Sequence, residues 1–178
     1  IIEFHDRVHD LEFISSEIES GAKFVGPLLE AFSDSPENRK TLLEFLYSLY
    51  EWSVVWGGYG IDENVRESLL DHATERDRPR LRELVRTSIR DLGEERLRWA
   101  GETLGELLLE LHQKDDQEEE FLEDARNLGL WKLMTECLIS REQIQEAMGV
   151  AREELNDVND QIHAANRLLD LGYIEEAG

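Results

Sequence analysis

Arg78, Arg82, Arg86 and Arg90 recur at every fourth position. On a helix this spacing makes one slowly rotating stripe beside Leu81, Val85, Ile89 and Leu92. A guanidinium fork grips phosphate or carboxylate oxygens in pairs, so such a row suits a nucleic-acid backbone or an acidic protein partner. Eight arginines lie between Arg76 and Arg98 against five acidic residues, a local excess of positive charge in a chain whose formal net charge is −22. In so acidic a protein, carboxylates on neighbouring helices are the ordinary partners of an arginine row.

A second concentration of chemistry is aromatic. Phe45, Tyr47, Tyr50, Trp52, Trp56 and Tyr59 place six of the fourteen aromatic residues within fifteen positions. More than one face of such a helix is apolar, which predicts either the central helix of a bundle or a helix that shows part of its surface to a partner, with the core reading favoured. In the partner reading, Trp52, Trp56 and Tyr59 join Arg78, Arg82, Arg86 and Arg90 as the residues expected to make contact.

Signals for catalysis are sparse. His5 and His9 are one helical turn apart, and Asp6/His9 and Asp160/His163 have spacing that places two ligands on one helix face. Helical bundles that hold metals use Glu-x-x-His pairs, which this chain lacks, so neither a metal site nor a cofactor is expected. The Gly57-Gly58-Tyr59-Gly60 run has no Lys-Ser/Thr and so is not a phosphate loop, and there is no Gly-x-Ser-x-Gly elbow. Cys137 lies in an apolar stretch beside Glu136, the environment of a buried thiol in a reducing compartment.

Apolar residues recur at spacings of three and four along the chain, and alternation of period two is nowhere sustained, which predicts an all-α, multi-helix bundle. A first helix is expected over Ile2–Glu19, and a short one from Gly26–Pro27 to Phe32. A third starts at Ser33–Pro36, carries Leu42, Phe45, Leu46, Leu49 and Trp52, and ends at Gly57. Asp62 is a candidate cap for the next helix. Asp77 with Pro79 opens a long helix reaching His112, bent near Gly93, Gly101 and Gly105. The polar run Lys114–Glu120 reads as a linker, giving a helical interaction domain over residues 1–113 and an appendage over 114–178.

The run LISREQIQEAMGVAREEL…RLLDLGYIEE resembles the core of a helix-turn-helix or winged-helix unit, over about residues 125 to 175. Within it Ser140 and Gln143 stand at capping-box spacing. The resemblance implies a turn at Gly149–Val150, with Ala147, Gly149 and Val150 letting two helices cross closely. The helix that would enter a DNA groove carries Glu153, Glu154, Asp157, Asp160 and Asp170 against Arg152 and Arg167, the wrong charge balance for phosphate attraction.

Forty-one acidic residues against nineteen basic ones, fifteen of them Arg, keep a surface hydrated in concentrated salt, where charge repulsion is screened within about 3 Å at 1 M. The chain therefore reads as a non-catalytic, cytoplasmic regulatory or adaptor protein from a salt-adapted organism. It would act through a protein partner, with a homodimer as one form of assembly. The alternative is a nucleic-acid-binding, transcription-regulator-like protein, followed by a metal-binding helical enzyme. No membrane span is expected, because the most apolar run, Leu42–Trp56, is too short and contains Glu44 and Glu51.

Overall fold

A computed structural model describes residues 35–56 and 61–173, together with Pro27, Leu29 and Ala31. The expected first helix, with His5 and His9, and the Gly57–Gly60 turn, with Tyr59, lie outside the described residues. All regular structure among the described residues is helical, and none of these helices is long and apolar enough to cross a membrane. The helices are α1 (Pro36–Trp56), α2 (Ile61–His72), α3 (Arg78–Asp91), the single turn α4 (Glu94–Leu97), α5 (Ala100–Gln113), α6 (Glu118–Leu128), α7 (Trp131–Ser140), α8 (Ile144–Glu154) and α9 (Val158–Asp170). The chain divides into two compact units between Arg96 and Leu97, whereas the polar composition of Lys114–Glu120 had suggested a boundary at residue 114.

In the first unit, α1 packs against α2 and α3. Pro36 occupies the first helical position, where a missing N–H costs nothing, and Glu37 faces the positive end of the helix dipole. The face turned inward carries Leu43, Leu46, Tyr47, Tyr50 and Val54, which meet Val65 and Leu69 of α2 and Leu81, Val85 and Ile89 of α3 in the same core. The Tyr47 hydroxyl donates to Ser88 Oγ at 2.8 Å, satisfying both groups in the interior, and burial pushes the phenol far above its ordinary titration range. The long helix expected from Asp77 to His112 is interrupted instead of bent: α3 stops at Asp91, and α5 begins only at Ala100.

The second unit stacks α5, α6 and α7, with α8 and α9 packed on α7. Its core holds Leu104, Leu108 and Leu111 of α5, Phe121 and Ala125 of α6, and Met134, Leu138 and Ile139 of α7. Gly105 is the point of closest approach, for a Cβ placed there would lie 2.5 Å from Leu133 Cδ1 and 2.9 Å from Leu130 Cδ1. This glycine, which sequence had suggested as a weak point of the helix, is a packing notch. Residues 114–117 form a tight turn in which Gln117 N–H donates to His112 O and Asp116 takes the left-handed conformation, φ 54°. Gln143 N–H bonds to Leu138 O in the same way, with Glu142 left-handed at φ 59°. These backbone bonds satisfy the last carbonyls of α5 and α7.

Two features read within the helix-turn-helix-like run differ in the structure. Ser140 is the last residue of α7, and Gln143 precedes α8 with no side-chain cap, so no capping box forms. Gly149 and Val150 lie inside α8, and the chain breaks later, at Leu155–Asp157, where the Asp157 carboxylate accepts from Asn159 N–H at 2.8 Å and caps α9. Helix-forming residues from Ala151 to Glu154 carry α8 past the glycine, and the side-chain oxygen able to cap a new helix comes only at Asp157.

Two glycine substitutions should separate these roles. Gly149→Ala meets nothing within 4 Å of its new Cβ and should stabilise the protein by about 0.5–1 kcal/mol through helix propensity. Gly105→Ala drives a methyl into two buried leucines and should destabilise by about 1–3 kcal/mol. Urea unfolding of both variants checks the opposite signs.

Candidate functional site

The outward side of α1 is the opposite of what a central bundle helix would show. Phe45 is 58 % exposed, Trp52 46 % and Trp56 64 %, and their spacings of seven and four residues place them on one stripe, diametrically across the helix from Leu43, Leu46, Tyr47 and Tyr50. The core reading of this aromatic cluster therefore holds for Tyr47 and Tyr50 and fails for Phe45 and the two tryptophans. Tyr has a hydroxyl that an internal Ser88 can satisfy, while α2 and α3 are too short and too polar to cover all sides of a 21-residue helix. At the end of the stripe the Arg96 guanidinium lies 4.2 Å from the centre of the Trp56 ring, a cation–π contact that holds the indole in place while leaving it accessible.

The arginine row does not form one exposed stripe. Arg78 and Arg82 are buried on the inner side of α3, where Arg78 Nη1 donates to Ala73 O at 3.1 Å. Arg86 is half-buried with Glu83 3.6 Å away, and Arg90 is exposed. A four-residue repeat advances by 40° per step, so a row beside an apolar face starts within that face and leaves it only at its end. Arg80, off the row, pairs with Glu44 of α1 at 2.8 Å.

An arginine outside the row, Arg39, joins three segments of the first unit. Arg39 sends Nε and Nη2 to Asp77 Oδ2 at 3.0 and 2.8 Å, Nη1 to Leu29 O at 2.7 Å and Nη2 to His72 O at 2.6 Å. It thereby ties the end of α2 and the start of α3 to α1. Asp77 does not cap α3 with its side chain, because the same oxygen also accepts from Thr74 N–H and Oγ1 at 2.9 and 2.6 Å. Burial by itself would raise the Asp77 carboxyl, but the Arg39 and Thr74 donors outweigh it and hold the group below the usual carboxylate range. The network floors a cleft of about 720 Å³ whose rim carries Lys40, Glu44, Arg76 and Arg80, with Leu43, Leu81 and Leu84 between them.

The second unit contains a smaller groove of about 360 Å³ between α8 and α9, lined by Met148, Ala151, Val158, Ile162 and Ala165 with Arg152 at its edge. A separate cleft holds Cys137, Ser140, Arg141 and His163. Burial pushes the Cys137 thiol above its ordinary value despite nearby Arg141, which disfavours the thiolate a nucleophile requires. His163 turns from its helical neighbour Asp160 toward Glu136 Oε1, 3.2 Å away, and Asp160 approaches Lys132 at 3.9 Å. His112, for which sequence offered no partner, is buried with Nε2 2.8 Å from Asp124 Oδ2 and its ring edge-on to Phe121. Among the described residues, no three His, Cys, Asp or Glu side chains converge as a metal site would require.

With known proteins the chain shows no match, whether to family models, curated sequences or solved structures. Its own surface is therefore the guide to function. Outward Phe45, Trp52 and Trp56 were legible as aromatics at helical spacing. The Arg39 hub was not, since nothing local marks a residue whose partners lie 33 and 38 positions away.

Asp77→Asn should weaken the first unit by about 2 kcal/mol, because it leaves Arg39 facing a neutral oxygen in a confined site. The carboxyl is depressed in the folded state, so its contribution is complete above the unfolded value, about pH 4, and disappears as pH falls through the lower folded value. Thermal melts should accordingly show a steeper loss of stability below about pH 4 in the wild type than in Asp77→Asn.

Proposed function

We propose that this is a non-catalytic regulatory or adaptor protein that works by binding another protein, with the outward aromatic stripe of α1 as the contact surface. The observation that carries the reading is the joint exposure of Phe45, Trp52 and Trp56 on one helix face. Aromatic side chains left in water forgo about 25 cal/mol for each Å² that burial would remove, and rigid Trp and Arg groups are the commonest anchors of protein interfaces. Arg96 over Trp56 supplies both kinds of anchor at one end of the stripe. The surrounding carboxylate excess suits a partner that docks through apolar and cation-rich surface in a salt-rich cytoplasm, where repulsion between like-charged proteins is screened.

Nucleic-acid binding is the weaker alternative, since Arg78 and Arg82 are turned inward and α8 and α9 carry abundant carboxylates. Phosphate attraction is greatest at low salt, so titration with duplex DNA and with RNA at low ionic strength should give no binding.

The direct test is cross-linking in native cytoplasm at high salt, followed by affinity capture with the wild type and with a Trp52→Ser/Trp56→Ser variant. Loss of two interface anchors should lower recovery of the captured protein at least about 10-fold while circular dichroism stays unchanged. Equal recovery by both chains would exclude this face as the binding surface.

A further inference from the structure

We propose that the partner docked by the outward face of α1 is an amphipathic helix with a basic edge; this rests on the reading of that face as the contact surface and names what it takes. When α1 is written as a seven-residue repeat, a to g, with Phe45 at a, all its buried residues (Leu43, Leu46, Tyr47, Tyr50, Ser53 and Val54) fall at b, c and f. The side left outward is therefore a, d, e and g, the positions through which one helix receives another. At a stand Asn38, Phe45 and Trp52, and at d Thr41, Ser48 and Val55, none of them buried. At e Leu42, Leu49 and Trp56 extend the apolar surface, while every g residue is a glutamate: Glu37, Glu44 and Glu51.

Shape selects a helix. Phe45, Ser48, Leu49 and Trp52 stand at i, i+3, i+4 and i+7, the four corners of a hole that accepts a knob from a facing helix, and the small Ser48 leaves room for it. The hydroxyls at d require nothing of such a partner. Thr41 Oγ1 donates back to Glu37 O at 3.0 Å and Ser48 Oγ to Glu44 O at 2.9 Å, so both can be covered without orphaning a donor. From Asn38 to Trp56 the face runs about 27 Å, the length of roughly five turns of a partner helix.

Charge selects which helix. Glu44 is held by Arg80 at 2.8 Å, whereas Glu37 and Glu51 make no ion pair among the described residues. A helix seated on this face sets one of its own edges against the glutamate row, where Lys or Arg is attracted and Asp or Glu repelled. The same row turns away other occupants. A second copy of α1 laid antiparallel brings glutamate row against glutamate row; laid parallel, it presses the glutamates onto the flank of Leu42, Leu49 and Trp56, where a carboxylate has no partner. An anionic lipid surface, which exposed tryptophans suit, is repelled by these carboxylates.

Two fluorescein-labelled helical peptides of about 20 residues test this on the whole chain. Both carry Leu at a and d; one has Lys at e and g and the other Glu, so that like charges keep each from pairing with itself. Fluorescence anisotropy in about 0.2 M KCl should give the Lys-edged peptide a dissociation constant at least about 10-fold below that of the Glu-edged one, and in about 2 M KCl the difference should shrink to within about 3-fold. Glu37→Lys/Glu51→Lys should remove or reverse the preference. Trp52→Ser/Trp56→Ser should weaken the Lys-edged peptide at least about 10-fold with the protein's circular dichroism unchanged. Equal affinity for the two peptides at the lower salt, a preference that Glu37→Lys/Glu51→Lys leaves intact, or no binding of either peptide would overturn the basic-helix inference. Cytoplasmic capture that still depends on Trp52 and Trp56 would then leave α1 standing as a contact surface, so the two readings fail separately. Self-association in sedimentation, or binding to phosphatidylglycerol vesicles, that Trp52→Ser/Trp56→Ser abolishes would show a different occupant and overturn it as well.

Discussion

Carboxylate excess is the constraint under which this fold is built. A helix bundle must exclude water, yet nearly a quarter of the chain is Asp or Glu, and a carboxylate drawn inward without a partner costs several kcal/mol. The structure meets the constraint by giving inward carboxylates a cation or a cluster of donors. Asp77 has Arg39 and Thr74, Asp124 has His112, and Glu102 has Lys132 at 2.9 Å. Lys132 loses some solvation by burial, but Glu102, with Asp160 and Glu136 around it, keeps the ammonium more firmly protonated than a free lysine. These contacts also join helices: Arg39 links α1 to α3, and Lys132 links α7 to α5.

The all-helical class was legible because periodicity of three to four is written in nearly every segment, and the start of α1 at Pro36 and of α3 after Asp77 followed from residue types that act locally. What sequence could not resolve was the choice among several apolar faces. On α1, the Tyr47–Tyr50 side and the Phe45–Trp52 side are both rich in aromatics, and only the arrival of α2 and α3 on one of them decides which is interior. The arginine row illustrates the same limit, because Arg78 and Arg82 sit where a helix face curves inward while Arg90, on the same spacing, emerges. At Lys114–Glu120 composition showed only polarity, while backbone hydrogen bonds, invisible to composition, make a turn there.

The two uncovered faces differ in chemistry. That of α1 is aromatic and edged by Arg96. That of α9, formed by Val158, Ile162 and Leu169, is aliphatic. They lie in different units.

The turns at Asp116 and Glu142 have a consequence for how the second unit wears in solution. Both place an acidic L-residue in a backbone conformation that glycine adopts at less cost, and both are held by an amide reaching back five residues to the preceding helix. A protease needs the backbone extended in its cleft, and the Gln117–His112 and Gln143–Leu138 bonds hold these two polar turns out of that shape. The segments that composition marks as the easiest to cut are therefore knots, and limited digestion would spare them.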